Sequence, residues 1–376
     1  MIADTRSRIE DDARRGERVA AILGLALGMS FTVCFATGVY SHLAQHPPGW
    51  FTLSARPAGL YRVTQGLHVA TGIAAIPLLL AKLWSVYPKL FQRPPVRSIP
   101  HALERLSLLP LVGGSLFLLF SGVANIELWY PLPFFFPTAH YWVAWLTIGA
   151  LVVHIGAKLP AVRRSLSPAG IDDDPPAVRN DRRRFLLSVG AASGILTVLT
   201  VGQTVRPLRR LGLLAPRDPD VGTQGFPVNN AAIEAGVVDA ATDPGWRLRV
   251  VGAVAQPLEL SLADLQAMPQ HESTLPLSCV EGWSVSKRWG GVSLRALLAL
   301  AGAPEGASVH VRSLGRGLFD QSDINSVQAA DRDTLLALRV GDEPIALDHG
   351  FPIRLIGPNR PGVMQTKWLS ELEVVA

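Results

Sequence analysis

Four long apolar stretches constrain this chain before anything else does. Residues 19–42 (VAAILGLALGMSFTVCFATGVYSH), 63–86, 105–128 and 140–160 each hold about twenty mostly apolar residues, enough to cross a bilayer core of about 30 Å. A fifth stretch, 185–205 (FLLSVGAASGILTVLTVGQTV), is less hydrophobic and rich in Gly, Ser and Thr. After Val205 no apolar run of that length recurs, so the remainder reads as water-soluble. Composition agrees: 48% of residues are apolar and only 17% charged, which excludes an ordinary soluble protein. At 376 residues the chain exceeds what one core usually serves. The expected organisation is a four-helix membrane module at 1–165, a cytoplasmic loop and fifth span at 166–205, a linker at 206–227 and a soluble domain at 228–376.

Charge sets the orientation. Arg6, Arg8, Arg14, Arg15 and Arg18, then Lys82, Lys89, Arg93, Arg97 and Arg105, then Lys158, Arg163, Arg164, Arg179 and Arg182 to Arg184 fall on segments that share one side. The opposite loops carry only Arg56 and Arg62. Positive residues stay inside, so the first set is predicted cytoplasmic. The fifth stretch has arginines at both ends, and "DRRRFLLSVG" (181–190) resembles a twin-arginine export signal, with a stop-transfer cluster on an ordinary helix as the other reading. No small-residue cleavage site follows closely, so it is expected to stay as an anchor that places the C-terminal domain on the outer face of the cell membrane.

Within the soluble part, period-2 patterns at 246–254, 307–314, 351–358 and 367–375 predict strands. "SLRALLALAG" (293–302) and "LADLQAM" (262–268) predict helices. The expected fold class is an all-α membrane bundle of about five spans followed by an α+β, mainly β, domain. Of two cysteines, Cys34 lies in the first span and Cys279 in the soluble part, so they are not expected to pair. Cys279 stands in "LPLSCVEGWS", a polar setting that suits a nucleophile or a soft metal ligand. One thiol cannot build a closed zinc site. It suffices where a metal arrives already ligated by a cofactor.

"CVEGWS" (279–284), "WGGVSLRALL" (289–298), "RSLGRGLFD" (312–320), "LALRVGDEPIALDHGFPIRLIGP" (336–358) and "RPGVMQTKWLSELEV" (360–374) resemble, in this order, the molybdopterin-binding domain of the sulfite oxidase superfamily. The resemblance covers residues from about 225 to the end and implies a sulfite-oxidase-like fold, a molybdenum-molybdopterin cofactor and oxygen-atom transfer. It implies that Cys279 is the protein's thiolate ligand to molybdenum, and that the "DHGFPIR" and "TKW" blocks line the pterin and its phosphate. His349, Arg354 and Lys367 are the proposed contacts, consistent with the charge-assisted donors an anion needs. Animal and plant sulfite oxidases carry a Gly-Asn-Arg-Arg run after the cysteine. This chain has Val-Glu-Gly-Trp, closer to the C-V-E-x-W pattern of bacterial methionine-sulfoxide reductase catalytic subunits, which puts sulfite in doubt as substrate. Lys287 and Arg288 could restore positive charge or belong to a solvated loop. Glu281 could titrate near the metal or cap backbone, and Trp283 could wall the pocket or fill the core.

Histidines inside spanning helices are costly and mark function. His140 and His154 are fourteen residues apart, nearly on one face and about 21 Å apart along a helix. That spacing resembles two-haem b-type cytochromes. His68 could meet His140 or His42, and His154 has His101 as its candidate partner in depth. Haem b, a quinone or other membrane electron carrier, a small-molecule substrate and the lipid bilayer are the partners expected, with no nucleic acid. The rivals are a non-catalytic binding or sensory module, a cysteine hydrolase using His271 or His310 as base, and a transporter, for which intramembrane acidic residues are lacking.

Overall fold

The computed structural model describes residues 14–90, 98–167, 174–317 and 320–376. Arg6, Arg8, Arg93 and Arg97 of the positive segments and Leu318 and Phe319 of the "RSLGRGLFD" block lie outside them. The chain divides into two compact units: Met1–Gly38 with Leu67–Pro216, and Val39–Gly66 with Arg217–Ala376. The segment between the first two apolar stretches thus packs with the soluble part, although the sequence places it in the membrane module.

The first unit is helical. Among the described residues five helices are long and apolar enough to cross a membrane, making this a multi-pass membrane protein. They are α1 (Glu17–Gln45), α2 (Leu60–Leu90), α3 (Ile99–Ile126), α4 (Phe136–Ser165) and α5 (Pro176–Val201). A helix suits such segments because lipid offers no partner to a backbone N–H or C=O. Prolines in the first turns of α3, α4 and α5 cost nothing, since those N–H groups have no intrahelical acceptor. Ser98 caps α3 by accepting from His101 N at 3.3 Å. α3 and α4 pack closely where Gly114 faces Thr147, with 2.1 Å from a would-be Cβ to Oγ1. A side chain at Gly114 would force the helices apart.

Among the described residues the second unit carries ten strands and short helices. One sheet has the order β2-β1-β10-β5-β6, built from β1 (Leu248–Gly252), β2 (Leu258–Leu260), β5 (Ser308–Ser313), β6 (Gln321–Ile324) and β10 (Leu369–Val375). Its β1–β10 pair is parallel and the others are antiparallel. The second sheet has the order β3-β4-β7-β8, with β9 also on β7: β3 (Gln270–Ser278), β4 (Ser284–Ser293), β7 (Leu335–Val340), β8 (Glu343–Pro344) and β9 (Arg354–Ile356). The predicted helices form as Leu262–Ala267 and Leu294–Leu300.

β7 explains why one domain has two apolar clusters. Successive strand side chains point to opposite faces. Leu336 and Leu338 therefore join a cluster with Leu248, Val250, Leu297, Val309 and Leu372, whereas Leu335 and Ala337 join Leu275, Leu277, Val285, Trp289 and Ile356. Cys279 belongs to the second cluster.

Candidate functional site

Cys279 sits at the tip of the β3–β4 hairpin. The sheet register runs unbroken to Ser278 opposite Ser284, leaving Cys279 to Trp283 to turn the chain. Cys279 N donates to Trp283 O at 3.0 Å, Gly282 N donates to Cys279 O at 3.2 Å, and Gly282 adopts φ 91°. Only a residue without Cβ holds that conformation cheaply, which accounts for the glycine in "CVEGW".

The thiol is 8% exposed, buried on one side by the apolar cluster. The sequence suggests a polar setting, and that describes only the other side. There Asn229 Nδ2 lies 3.2 Å from Sγ and also donates to Glu281 Oε1 at 2.8 Å. Trp283 Nε1 donates to Glu281 Oε2 at 3.1 Å, and Arg217 Nε lies 3.3 Å from the same oxygen. Glu281, also buried, is therefore held by three donors. Burial raises its pKa, with Arg217 opposing. Burial, and next the Glu281 charge, push the Cys279 thiol up to about 12. Left to the protein's own groups, this thiol keeps its proton.

The residues predicted to hold a cofactor gather on the neighbouring loops. His349 is buried, stacks on Phe226 with ring centroids 3.6 Å apart, and its Nε2 donates to Thr223 O at 2.6 Å. Burial lowers its pKa to about 4, so the ring is neutral at pH 7. Arg354 is 4% exposed; Nη1 donates to His349 O at 3.1 Å, while its Nε is buried without a partner among the described residues. No carboxylate pairs with it there, and burial lowers its pKa to about 10. Lys367 Nζ reaches Asn229 O and Asp348 O at 2.7 Å each and Asn230 O at 3.1 Å, which occupies all three of its donors. Burial, then the Arg354 charge, lowers its pKa to about 7. Asn229 thus joins the two groups, its side chain on Cys279 and its carbonyl on Lys367.

Residues 235–376 match the model of the oxidoreductase molybdopterin binding domain. The C-terminal domain belongs to this family. An uncharacterized oxidoreductase of Bacillus subtilis, YuiH, is 32% identical over 129 residues, 34% of this chain and 64% of that protein. Mitochondrial sulfite oxidase of Rattus norvegicus is 34% identical over 157 residues, 34% of this chain and 29% of that protein. A putative protein-methionine-sulfoxide reductase subunit, YedZ1, of Azospira oryzae is 31% identical over 166 residues, 43% of this chain and 61% of that protein. The chain spans less than two thirds of the length of each.

The molybdopterin domain's residues fit its cofactor. A thiol that burial keeps protonated becomes a thiolate when a metal takes the proton's place. A buried guanidinium with an orphan N–H and no carboxylate is costly in an empty protein and suits a phosphate. Asn229 Oδ1 and Gln365 Oε1 are likewise buried without partners among the described residues.

Arg217, Thr223, Phe226 and Asn229 escaped the sequence reading. All four precede the matched segment, and the first three lie in the stretch taken as a linker. No periodicity marks them; Gly222 and Gly225, at φ 135° and 72°, are the one local hint of a shaped loop. Lys287 and Arg288 are engaged elsewhere, on Gln224 O and on Glu272 with Asp342. His271 and His310 each bond an aspartate, Asp333 and Asp323. His271 is also seven strand residues before Ser278, about 23 Å away at β rise, too far to serve Cys279 as a base.

In the helical unit, His68 and His140 have ring centroids 6.1 Å apart. His68 Nδ1 lies 2.9 Å from Cys34 O, and a carbonyl only accepts, so Nδ1 carries the proton and Nε2 the lone pair. Ser121 Oγ bonds Phe117 O at 2.8 Å and lies 2.9 Å from His140 Nδ1, which leaves His140 Nε2 the lone pair by the same logic. Both rings are oriented through Nδ1 as metal-ligating imidazoles are. The centroid separation is close to two imidazole-to-metal reaches, at about 2 Å per bond plus roughly 1 Å from nitrogen to ring centre. Gly38 and Gly122 lie against the two rings, with would-be Cβ atoms 3.1 and 3.8 Å from Cε1. His42 stacks on His46. His154 is not part of this pair, and its Nδ1 is buried without a partner among the described residues.

Proposed function

We propose that this protein is a membrane-anchored molybdenum oxidoreductase that transfers an oxygen atom to or from a small sulfur compound and exchanges the electrons with a membrane carrier. The observation that carries the reading is Cys279, a thiol held at a hairpin tip by Asn229 and buried where only a cation would make it a thiolate. The molybdenum-molybdopterin group supplies two-electron oxygen-atom chemistry there when bound.

The chain's own residues bind and orient. Cys279 is the metal's protein ligand, and Asn229 fixes the direction of its sulfur. Glu281, gripped by Trp283 and Arg217, holds Asn229. Arg354 takes the cofactor's phosphate, and neutral His349, pinned between Phe226 and Thr223 O, shapes the pterin side. Lys367 ties the Asn229 loop to Asp348 and joins the cofactor's shell through that loop.

Charge favours a neutral sulfoxide over sulfite. Lys287 and Arg288 have their own partners and Arg217 is spent on Glu281, so none of these three cations is left to attract an anionic substrate. His68 and His140 are the ligands we assign to one haem b, with quinone as the carrier that it serves. His154 stands as a candidate ligand for a second. The positive residues of the described loops support a C-terminal domain on the outer face, anchored by α5, with 228–376 as its body.

The deciding experiment is metal and pterin analysis of the purified full-length protein beside Cys279→Ser, with a visible spectrum of each. We expect stoichiometric molybdenum in the wild type, a changed molybdenum(V) resonance in the variant and a fall in sulfoxide reduction of about a hundredfold or more. Properly matured wild type without molybdenum would overturn the reading.

A further inference from the structure

The turn that carries Cys279 is held from outside the molybdopterin domain. Gln65, in the second turn of α2, is 7% exposed, and its Nε2 donates to Val280 O at 3.1 Å. That carbonyl belongs to the peptide joining Val280 to Glu281, one residue past Cys279, so its plane helps fix the turn that carries both side chains. Gln65 is itself fixed: Ser41 Oγ donates to Oε1 at 3.4 Å and is bonded to Tyr61 Oη at 3.0 Å.

A second set of contacts reaches the same turn independently. Asn359, 1% exposed, accepts from Tyr61 N at 2.8 Å and donates to Ser54 O at 2.7 Å, while its own N donates to Ala58 O at 2.9 Å. Three residues later the same loop presses on the strand entering the turn: a Cβ on Gly362 would stand 2.7 Å from Ser278 O and 3.6 Å from Cys279 Cα. Residues 39–66 therefore grip both the loop behind Cys279 and the peptide after it. A side chain that only filled space there would not need an amide aimed at one carbonyl.

We infer that Gln65 is a positioning residue for Cys279, acting through the Val280 peptide, and that the segment between the first two spanning helices is a working part of the metal-binding turn. The inference rests on the molybdenum reading above only for what Cys279 ligates. The hold on the turn is a property of the chain itself.

The test uses full-length protein and the variants Gln65→Met, which keeps the volume and loses the donor, Gln65→Ala, and Arg62→Ala, which removes a bond from the same segment to Ser286 away from the turn. Two readouts are taken: the molybdenum(V) resonance of the loaded protein, and the peptide-resolved rate of maleimide addition to Cys279 in full chain produced without the cofactor, with Cys34 as internal reference. We expect both Gln65 variants to retain molybdenum with a shifted or broadened resonance and to speed Cys279 modification about tenfold, the usual size for a residue that orients a ligand. Cys34 and the Arg62→Ala protein should match wild type. A Gln65→Met protein with wild-type resonance and wild-type Cys279 rate overturns the inference, as does an effect confined to Gln65→Ala, which assigns the role to packing. If the wild type holds no molybdenum, the functional reading falls while the modification rates still decide the role of Gln65.

Discussion

The two units bury their polar groups in opposite ways. In the helical unit hydroxyls bond back to their own helix four residues earlier, as Thr37 does to Val33 O, Ser121 to Phe117 O and Thr147 to Val143 O. Its apolar side chains face outward, Leu109 at 73% and Trp142 at 65% exposed, as lipid requires. The molybdopterin unit closes its apolar residues inside and buries charge among them: Arg354 and Arg360 are 4% and 2% exposed, with neutral acceptors such as His349 O and Met364 O as their hydrogen-bond partners. The first unit satisfies most of its hydroxyls locally, while His154 Nδ1, Ser193 Oγ and Gln203 Oε1 are buried without a partner among the described residues. The second differs in what it leaves open: the Arg354 guanidinium, buried with an orphan Nε and no carboxylate among the described residues, is a charge that a bound anion would complete.

The most drastic way to break this comparison is to remove a histidine from the helical pair. His68→Ala and His140→Ala should each abolish the bis-histidine haem absorbance while the helices remain inserted, because the neighbouring hydroxyls keep their own partners. A visible spectrum unchanged in both variants would refute the ligand assignment.

Arg354→Leu should act in two directions. Cofactor retention is expected to fall about 10- to 100-fold, read as molybdenum and pterin per protein. The cofactor-free protein should be more stable by about 1 kcal/mol or more, since an uncompensated buried charge has gone. A variant destabilised when empty would mean that the guanidinium is structural and that the contrast between the units is misplaced.

The smallest effect sharpens the contrast through pH. Burial holds His349 at a pKa of about 4 against the ordinary value of 6.5. Between those values the unfolded chain binds a proton that the folded domain does not, so stability falls as pH drops from about 6.5 towards 4. The full effect is about 3 kcal/mol. Thermal unfolding of the cofactor-free protein across that range should show the loss, and His349→Gln, which keeps a donor for Thr223 O, should flatten it. An equal slope in both proteins would assign the pH sensitivity to other groups.

What could be read from the sequence follows from how local each cause is. A span is fixed by some twenty consecutive apolar residues and a strand by alternation within eight, so five helices and strands such as Leu369–Val375 needed no tertiary information. Cys279 and His349 were legible because ordered blocks surround them. Asn229, Arg217 and Gln65 were not: Asn229 reaches Cys279 and Glu281 at 50 and 52 positions, Arg217 reaches Glu281 at 64, and Gln65 reaches Val280 at 215. No periodicity or spacing encodes such a contact.

The helical pairing divides in the same way. Sequence placed His68, His140, His42 and His154 in apolar stretches, and the cost of an imidazole in lipid marked them for attention. Which of them meet depended on helix packing: α3 and α4 close together where Gly114 removes the obstacle, and Ser121 then turns the His140 ring. The sequence by itself therefore determined the apolar helices, the strand pattern and the ordered blocks around Cys279, since each depends on neighbours along the chain. The tertiary structure alone decided which histidines face each other, that Lys367 spends its donors on carbonyls, and that residues 39–66 brace the Cys279 turn. Contact between distant residues is a property of packing, and packing is settled only when the whole chain has closed.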